Sequence, residues 1–166
     1  MQGIRRTIKR RRLECKTDYK SRFGLLKSGK PRLVVRKTNR YVLLQIVQSE
    51  GAQDKVIINL SSKELLEKGW PKSLEGSLKS LAAAYLAGML LADKSKKSKI
   101  GEVIVDMGLQ RNIKGGRIYA AIRGAVDGGL NVACGKESLP SDKDLERNPK
   151  TREAFIKVRD KFGDKK

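Results

Sequence analysis

Pro31-Arg32-Leu33-Val34-Val35-Arg36-Lys37-Thr38-Asn39-Arg40-Tyr41-Val42-Leu43-Leu44-Gln45-Ile46-Val47 is the stretch that decides the fold. Its β-branched content and the polar Thr38-Asn39-Arg40 break predict two strands, 32–37 and 41–47, joined in a hairpin. Strand alternation puts Arg32, Val34 and Arg36 on one face and Leu33, Val35 and Lys37 on the other. Arg36, Lys37 and Arg40 then crowd the turn, with Thr38 and Asn39 as further donors. Ordinary solvent-facing charge at a sheet edge remains the alternative reading of this cluster.

Upstream, Tyr19, Phe23 and Leu26 recur at helical spacing, and Ser28-Gly29-Lys30-Pro31 stops a short helix or turn within 17–30. Before it lies the run Arg5, Arg6, Lys9, Arg10, Arg11, Arg12. Residues 1–40 hold 15 Lys and Arg against Glu14 and Asp18, so most of the net charge of +20 sits in a quarter of the chain. Such a block repels itself and needs a polyanion to settle it. The arginine fork suits phosphate oxygens. A membrane-surface anchor would interleave bulky apolar residues on one face, and the first 12 residues offer only Met1, Ile4 and Ile8. Nucleic acid is the expected partner.

Downstream, 55–60 reads as a third strand and 61–68 as a short helix capped by Ser61 or Ser62 and stopped by Gly69. Leu78, Leu81, Ala82, Tyr85, Leu86, Met89 and Leu90 predict a helix over 77–93, whose small residues, Gly88 among them, would let it approach a sheet closely. The basic run Lys94, Lys96, Lys97, Lys99 reads first as a solvated helix end, with phosphate contact as the alternative. A buried strand is expected over 102–107 and a basic loop over 109–117. A helix over 118–127 and a short strand over 130–133 follow. Arg111, Lys114 and Arg117 mark the loop as a simple helix entrance or an RNA-backbone contact. Strand, helix, strand order implies an α/β fold: a mixed β-sheet with packed helices in a two-layer sandwich. A basic extended N-terminal arm (1–29) precedes the domain (30–135), and a polar, partly helical extension (136–166) follows. Within that extension 151–161 could lean on the body through Phe155, Ile156 and Val158.

Composition removes most enzyme chemistry. Histidine is absent, and Cys15 and Cys134 stand far apart, so neither a His base nor a zinc site can be built. Cys134 reads as a small apolar residue, and the cysteine usage fits a reducing, cytosolic compartment. No apolar run reaches the ~20 residues of a membrane helix, and no signal-peptide pattern opens the chain. The 110–117 loop does not match GxxxxGK[ST]. No metal or cofactor is expected. Glu102, Asp106, Asp127 and Asp54 keep a Mg²⁺-dependent nuclease open as the sharpest enzymatic alternative. With aromatics at 5%, a stacking platform for single strands is poor, and Tyr19, Phe23 and Tyr41 read as packing residues.

Lys16-Thr17-Asp18-Tyr19, the run from Leu25 to Arg36 and Thr38-Asn39-Arg40-Tyr41-Val42 resemble the large-subunit ribosomal protein eighteen family in its archaeal and eukaryotic form. Ala83-Ala84-Tyr85-Leu86-Ala87-Gly88, Asp106-Met107-Gly108-Leu109-Gln110-Arg111 and the segment from Gly115 to Leu130 resemble it too, in the expected order. Eukaryotic members are considerably longer, so the length favours the archaeal type. The resemblance implies an α/β sandwich with a basic extension, a non-catalytic constituent of the cytoplasmic ribosome. It also implies binding to 5S rRNA, attachment of that RNA to large-subunit rRNA, and contact with neighbouring ribosomal proteins. The residues it implies at RNA are Arg5, Arg6, Lys9, Arg10, Arg11, Arg12, Lys16, Tyr19, Lys20 and Arg22 in the arm. In the hairpin they are Lys30, Arg32, Arg36, Lys37, Thr38, Asn39 and Arg40, and in the loop Arg111, Lys114 and Arg117. A generic basic RNA-binding or chaperone module is the other alternative.

Overall fold

The computed structural model describes residues 7–51, 53–98 and 100–163. Four strands form one sheet in the order β3-β2-β1-β4. β1 (Arg32–Lys37) and β2 (Val42–Glu50) make the expected antiparallel hairpin, with Arg32 opposite Val47 and Lys37 opposite Val42. β3 (Gln53–Ser61) extends the hairpin antiparallel on the far side of β2. β4 (Ile104–Asp106) pairs parallel with β1, so the segment between β3 and β4 must cross over the sheet.

The alternation of β1 holds for its inner face. Leu33 and Val35 are fully buried, and with Leu44, Ile46 and Leu60 they meet the helices α3 (Leu81–Lys97) and α4 (Arg117–Asp127) in one core. α3 begins four residues later than periodicity predicts. Lys72–Ser77 forms a 3₁₀ turn, and the Ser80 side chain accepts from the Ala83 amide, which sets the start of the α-helix at Leu81. The 61–68 helix is a 3₁₀ turn over Ser62–Leu66, closed by a capping box between Ser61 and Glu64.

Gly88 serves a different neighbour from the one expected. A Cβ there would stand 2.1 Å from the Ala121 carbonyl oxygen, and one at Gly124 would stand 1.9 Å from that of Tyr85. The two glycines bring α3 and α4 into backbone contact, so the close approach is helix to helix and not helix to sheet. The predicted 130–133 strand shrinks to a single parallel bridge between Val132 and Val103.

The polar extension shares the core. α5 (Asp142–Glu146) and α6 (Pro149–Gly163) bury Leu145, Phe155, Val158 and Phe162, and the Phe155 ring meets Tyr85 edge-on at 5.7 Å between centroids. At the other end, Arg10–Leu13 closes one helical turn, α1, where repulsion predicts an open arm. Glu14 offsets it by pairing with Arg10 at 3.7 Å and Lys16 at 2.8 Å. Cys15, at φ 51°, turns the chain toward α2 (Tyr19–Lys27), whose N-terminus is capped by Asp18.

Candidate nucleic-acid interface

The outer face of the sheet is built on an alternating row of charges. Strand register sets Asp106 opposite Val34, diagonal to both Arg32 and Arg36. Arg32 donates through Nη1 to Asp106 Oδ2 and through Nη2 to Asp54 Oδ1, each at 2.8 Å, and also to Ser49 Oγ at 3.0 Å. Arg22, on α2, donates to the other Asp54 oxygen at 2.8 Å. Arg36 donates to Asp106 Oδ1 at 2.8 Å and to the Asp106 and Val35 carbonyls. Three guanidinium groups and two carboxylates thus tie α2, β1, β3 and β4 together.

Both carboxylates stay ionised in this setting. Burial pushes Asp54 up, but the Ser49 hydroxyl and the Arg22 and Arg32 guanidiniums outweigh it and bring its pKa to about 2. Asp106 is likewise pushed up by burial. The hydrogen bond and charge of Arg36, the Gly108 amide and Arg32 hold it below the usual carboxylate range.

Three members of the predicted RNA-facing set, Arg22, Arg32 and Arg36, belong to this row. Arg32 is 2% exposed, with both Nη groups taken by Asp106, Asp54 and Ser49, so it is a core residue. Arg36 and Arg22 are half-buried and committed to the same row. The carboxylates weighed for Mg²⁺ are used the same way. Asp54 and Asp106 are joined through Arg32 and do not face each other across an ion, Glu102 pairs with Lys30, and Asp127 accepts from the Tyr85 hydroxyl. Of the basic run after α3's core, Lys94 pairs with Glu64 at 2.6 Å and Lys96 with Asp93 at 3.6 Å, while Lys99 lies outside the described residues.

The hairpin tip and the 109–117 loop, 73 residues apart, are brought side by side by Gln110. Its side-chain oxygen accepts from the Lys37 amide and its nitrogen donates to the Lys37 carbonyl, both at 2.9 Å, so one amide side chain continues the ladder of the sheet. Tyr119 Oη donates to Asn112 at 2.7 Å, and the Gly115 amide donates to the Ser138 carbonyl, which fixes the rest of the loop. Lys37, Asn39, Arg40, Arg111 and Lys114 are exposed, and Arg117 is half-buried at the start of α4. Thr38 is not a free donor: its hydroxyl donates to the Tyr41 carbonyl and accepts from the Tyr41 amide, closing the turn. Lys37, Arg111 and Arg117 line one cleft, and none of the three has an acidic partner among the described residues.

In the arm, Arg11 donates to Thr17 at 2.9 Å and Lys9 lies 4.5 Å over the Tyr19 ring. Arg12 and Lys20 are exposed, Arg12 without an acidic partner among the described residues. Arg5 and Arg6 lie outside the described residues. A cleft of 520 Å³ between arm and sheet is lined by Arg11, Lys16, Arg22 and Arg36. The sequence reading missed Gln110 as the clamp and Asp54 and Asp106 as the anchors. A local pattern carries no signal for a contact that depends on pairing across the sheet.

A two-layer α/β unit whose outer-face carboxylates are consumed by its own arginines, leaving a rim of uncompensated cations, belongs to the class of proteins that present fixed positive charge to a polyanion. The family model for "Ribosomal large subunit proteins 60S L5, and 50S L18" matches residues 5–100 and 93–134. The chain is 47% identical over 133 residues to "Large ribosomal subunit protein uL18" of Korarchaeum cryptofilum, covering 80% of this chain and 66% of that protein. It is 47% identical over 137 residues to the protein of that name from Methanoculleus marisnigri (82% and 76%), and 41% over 133 to that from Methanothermobacter thermautotrophicus (80% and 67%). The chain therefore spans about two thirds to three quarters of the length of these relatives. It belongs to the L5/L18 family of large-subunit ribosomal proteins, in its archaeal form, a family of structural ribosome components and not of enzymes.

Proposed function

We propose that this chain binds 5S rRNA and helps attach it to the large-subunit rRNA, with neighbouring ribosomal proteins completing its surroundings. The observation that carries the reading is the charge balance of the outer face. Asp54 and Asp106 are taken by Arg22, Arg32 and Arg36, so Arg12, Lys37, Arg40, Arg111 and Lys114 have no acidic partner among the described residues. RNA phosphates supply that charge, and each contact releases condensed counterions. The sheet and the Gln110 clamp hold the hairpin tip and loop in fixed register, which favours recognition of a folded RNA's shape.

The test is binding to purified 5S rRNA against an unrelated folded RNA of equal length, across a salt series, with RNA length checked after incubation with Mg²⁺. The expected result is a preference for 5S rRNA that survives rising salt, and intact RNA. Joint replacement of Lys37 and Arg40 by Ala should weaken binding and lower the salt slope by about 0.7–0.9 per lost phosphate contact, with the unfolding midpoint unchanged. Arg36 is left in place because its loss would disturb the fold. Equal affinity for both RNAs would leave only a generic basic module, and shortened RNA would restore the nuclease.

A further inference from the structure

Lys37, Arg111 and Arg117 line a cleft of 260 Å³ together with Gly116 and the apolar Leu81, Ile113 and Ile118. Ile113 is 54% exposed although it is flanked in sequence by Arg111 and Lys114. A duplex backbone presents phosphates and sugars, and its bases are stacked away inside, so a cationic rim alone would serve it. Apolar and cationic side chains lining one cleft fit a ligand that carries a flat, weakly hydrated group next to an anion. We propose, on the reading that the chain binds 5S rRNA, that this cleft seats one unpaired nucleotide of the RNA. The base lies against Leu81, Ile113 and Ile118, and the adjoining phosphate meets Lys37, Arg111 and Arg117.

The walls are built to stay in place. Gln110 fixes the loop to Lys37 through two hydrogen bonds, and Asn112 is held by Tyr119 from within α4. The seat therefore needs little ordering when the nucleotide arrives, and binding energy is not spent on closing a loop. It also adds what the arm and hairpin tip lack. Their cations read charge and shape, whereas a seat for a splayed base requires a break in pairing at one position, which an unrelated folded RNA does not offer in register.

The test uses the full chain and its Ile113→Ala and Arg111→Ala variants, with 5S rRNA and a fully paired RNA hairpin of equal length. Ile113→Ala carries no charge change and alters an exposed side chain, so the fold is kept. It should weaken binding to 5S rRNA by about fivefold, from lost apolar burial, leave the salt slope unchanged and leave the paired hairpin's affinity unaltered. Arg111→Ala should lower the salt slope on 5S rRNA by about one. Chemical probing should show one unpaired nucleotide protected by the native chain and exposed again with Ile113→Ala. If the native chain prefers 5S rRNA and Ile113→Ala binds it equally well, or loses affinity equally for both RNAs, the seat is wrong while the 5S reading stands. Failure of the native chain to prefer 5S rRNA overturns both. An effect of Ile113→Ala seen only with an acidic probe such as oligoglutamate would assign the cleft to a protein segment and overturn the proposal.

Discussion

Residues 1–40, a basic arm running into the first strand, and 136–166, a polar extension, are both strongly charged, yet the structure uses them in opposite ways. The first holds 15 basic residues against 2 acidic ones, the second 10 against 7. In the second, charge is balanced locally: Arg152 and Arg159 both pair with Glu146, leaving Phe155, Val158 and Phe162 free to sink into the core. In the first, Asp18 caps α2 and Glu14 pairs with Arg10 and Lys16. Arg22, Arg32 and Arg36 therefore draw their carboxylates, Asp54 and Asp106, from outside the segment, and cations such as Arg12, Lys37 and Arg40 face outward. Balance, more than polarity, separates a segment that packs from one that waits for a polyanion.

The largest way to break this comparison lies in the one part of the basic region that is buried. Asp106→Ala leaves Arg32, 2% exposed, and half-buried Arg36 without their shared carboxylate. Arg32 keeps Asp54 and Ser49 through Nη2 but loses the partner of its buried Nη1. Breaking a buried pair costs about 3–5 kcal/mol, so the urea midpoint should fall sharply. A loss below about 1 kcal/mol would show that water reaches Arg32 and that the row does not hold the face together.

Phe155→Ala sharpens the other side. The ring is fully buried and meets Tyr85 edge-on. Its removal should cost about 3–4 kcal/mol, measured by the same unfolding experiment, while the protein that remains folded binds RNA with unchanged affinity. A variant as stable as the native chain would make the tail an appendage after all.

What the sequence makes legible follows the range of each interaction. The hairpin, the 3.6-residue stripes of α3 and α4 and the helix of the tail all rest on neighbours within a few residues, and local periodicity displays them. Arg32 shows the limit. Alternation correctly assigns it to the outer face, and an arginine on an outer face reads as solvent-exposed. Its burial depends on Asp106, 74 residues away, arriving on a parallel strand in one register. Gly88 is similar, since its smallness is visible but its neighbour, α4, is not. The tail's apolar spacing is plain, while the depth to which Phe155 sinks depends on Tyr85, which only the fold brings near. At the interface, Lys37, Arg40 and Arg111 are legible as charge, and the loop's position beside the hairpin is not. It depends on Gln110 imitating a backbone partner.

The smallest expected effect concerns the latch between arm and sheet. Asp54, with a pKa brought from 3.8 to about 2, joins Arg22 of α2 to Arg32 of β1. A carboxylate whose folded pKa is depressed contributes stability that is complete above about pH 4 and is lost as pH falls through about 2. Asp106 follows the same direction, so the native chain should lose stability across this window for two reasons. Asp54→Asn removes one of them and keeps a group of the same shape beside Ser49. Its stability should therefore fall less steeply between pH 4 and 2 than that of the native chain. At neutral pH the variant should also release α2, since the Arg22 contact is the ion pair that ties this helix to the sheet among the described residues. Faster proteolysis at Lys20 or Lys27 would report that release without global unfolding. Identical acid limbs with unchanged cleavage would mean that the arm is held by Arg11, Thr17 and the neighbouring strand ends instead, and that the charge row stops at Arg32.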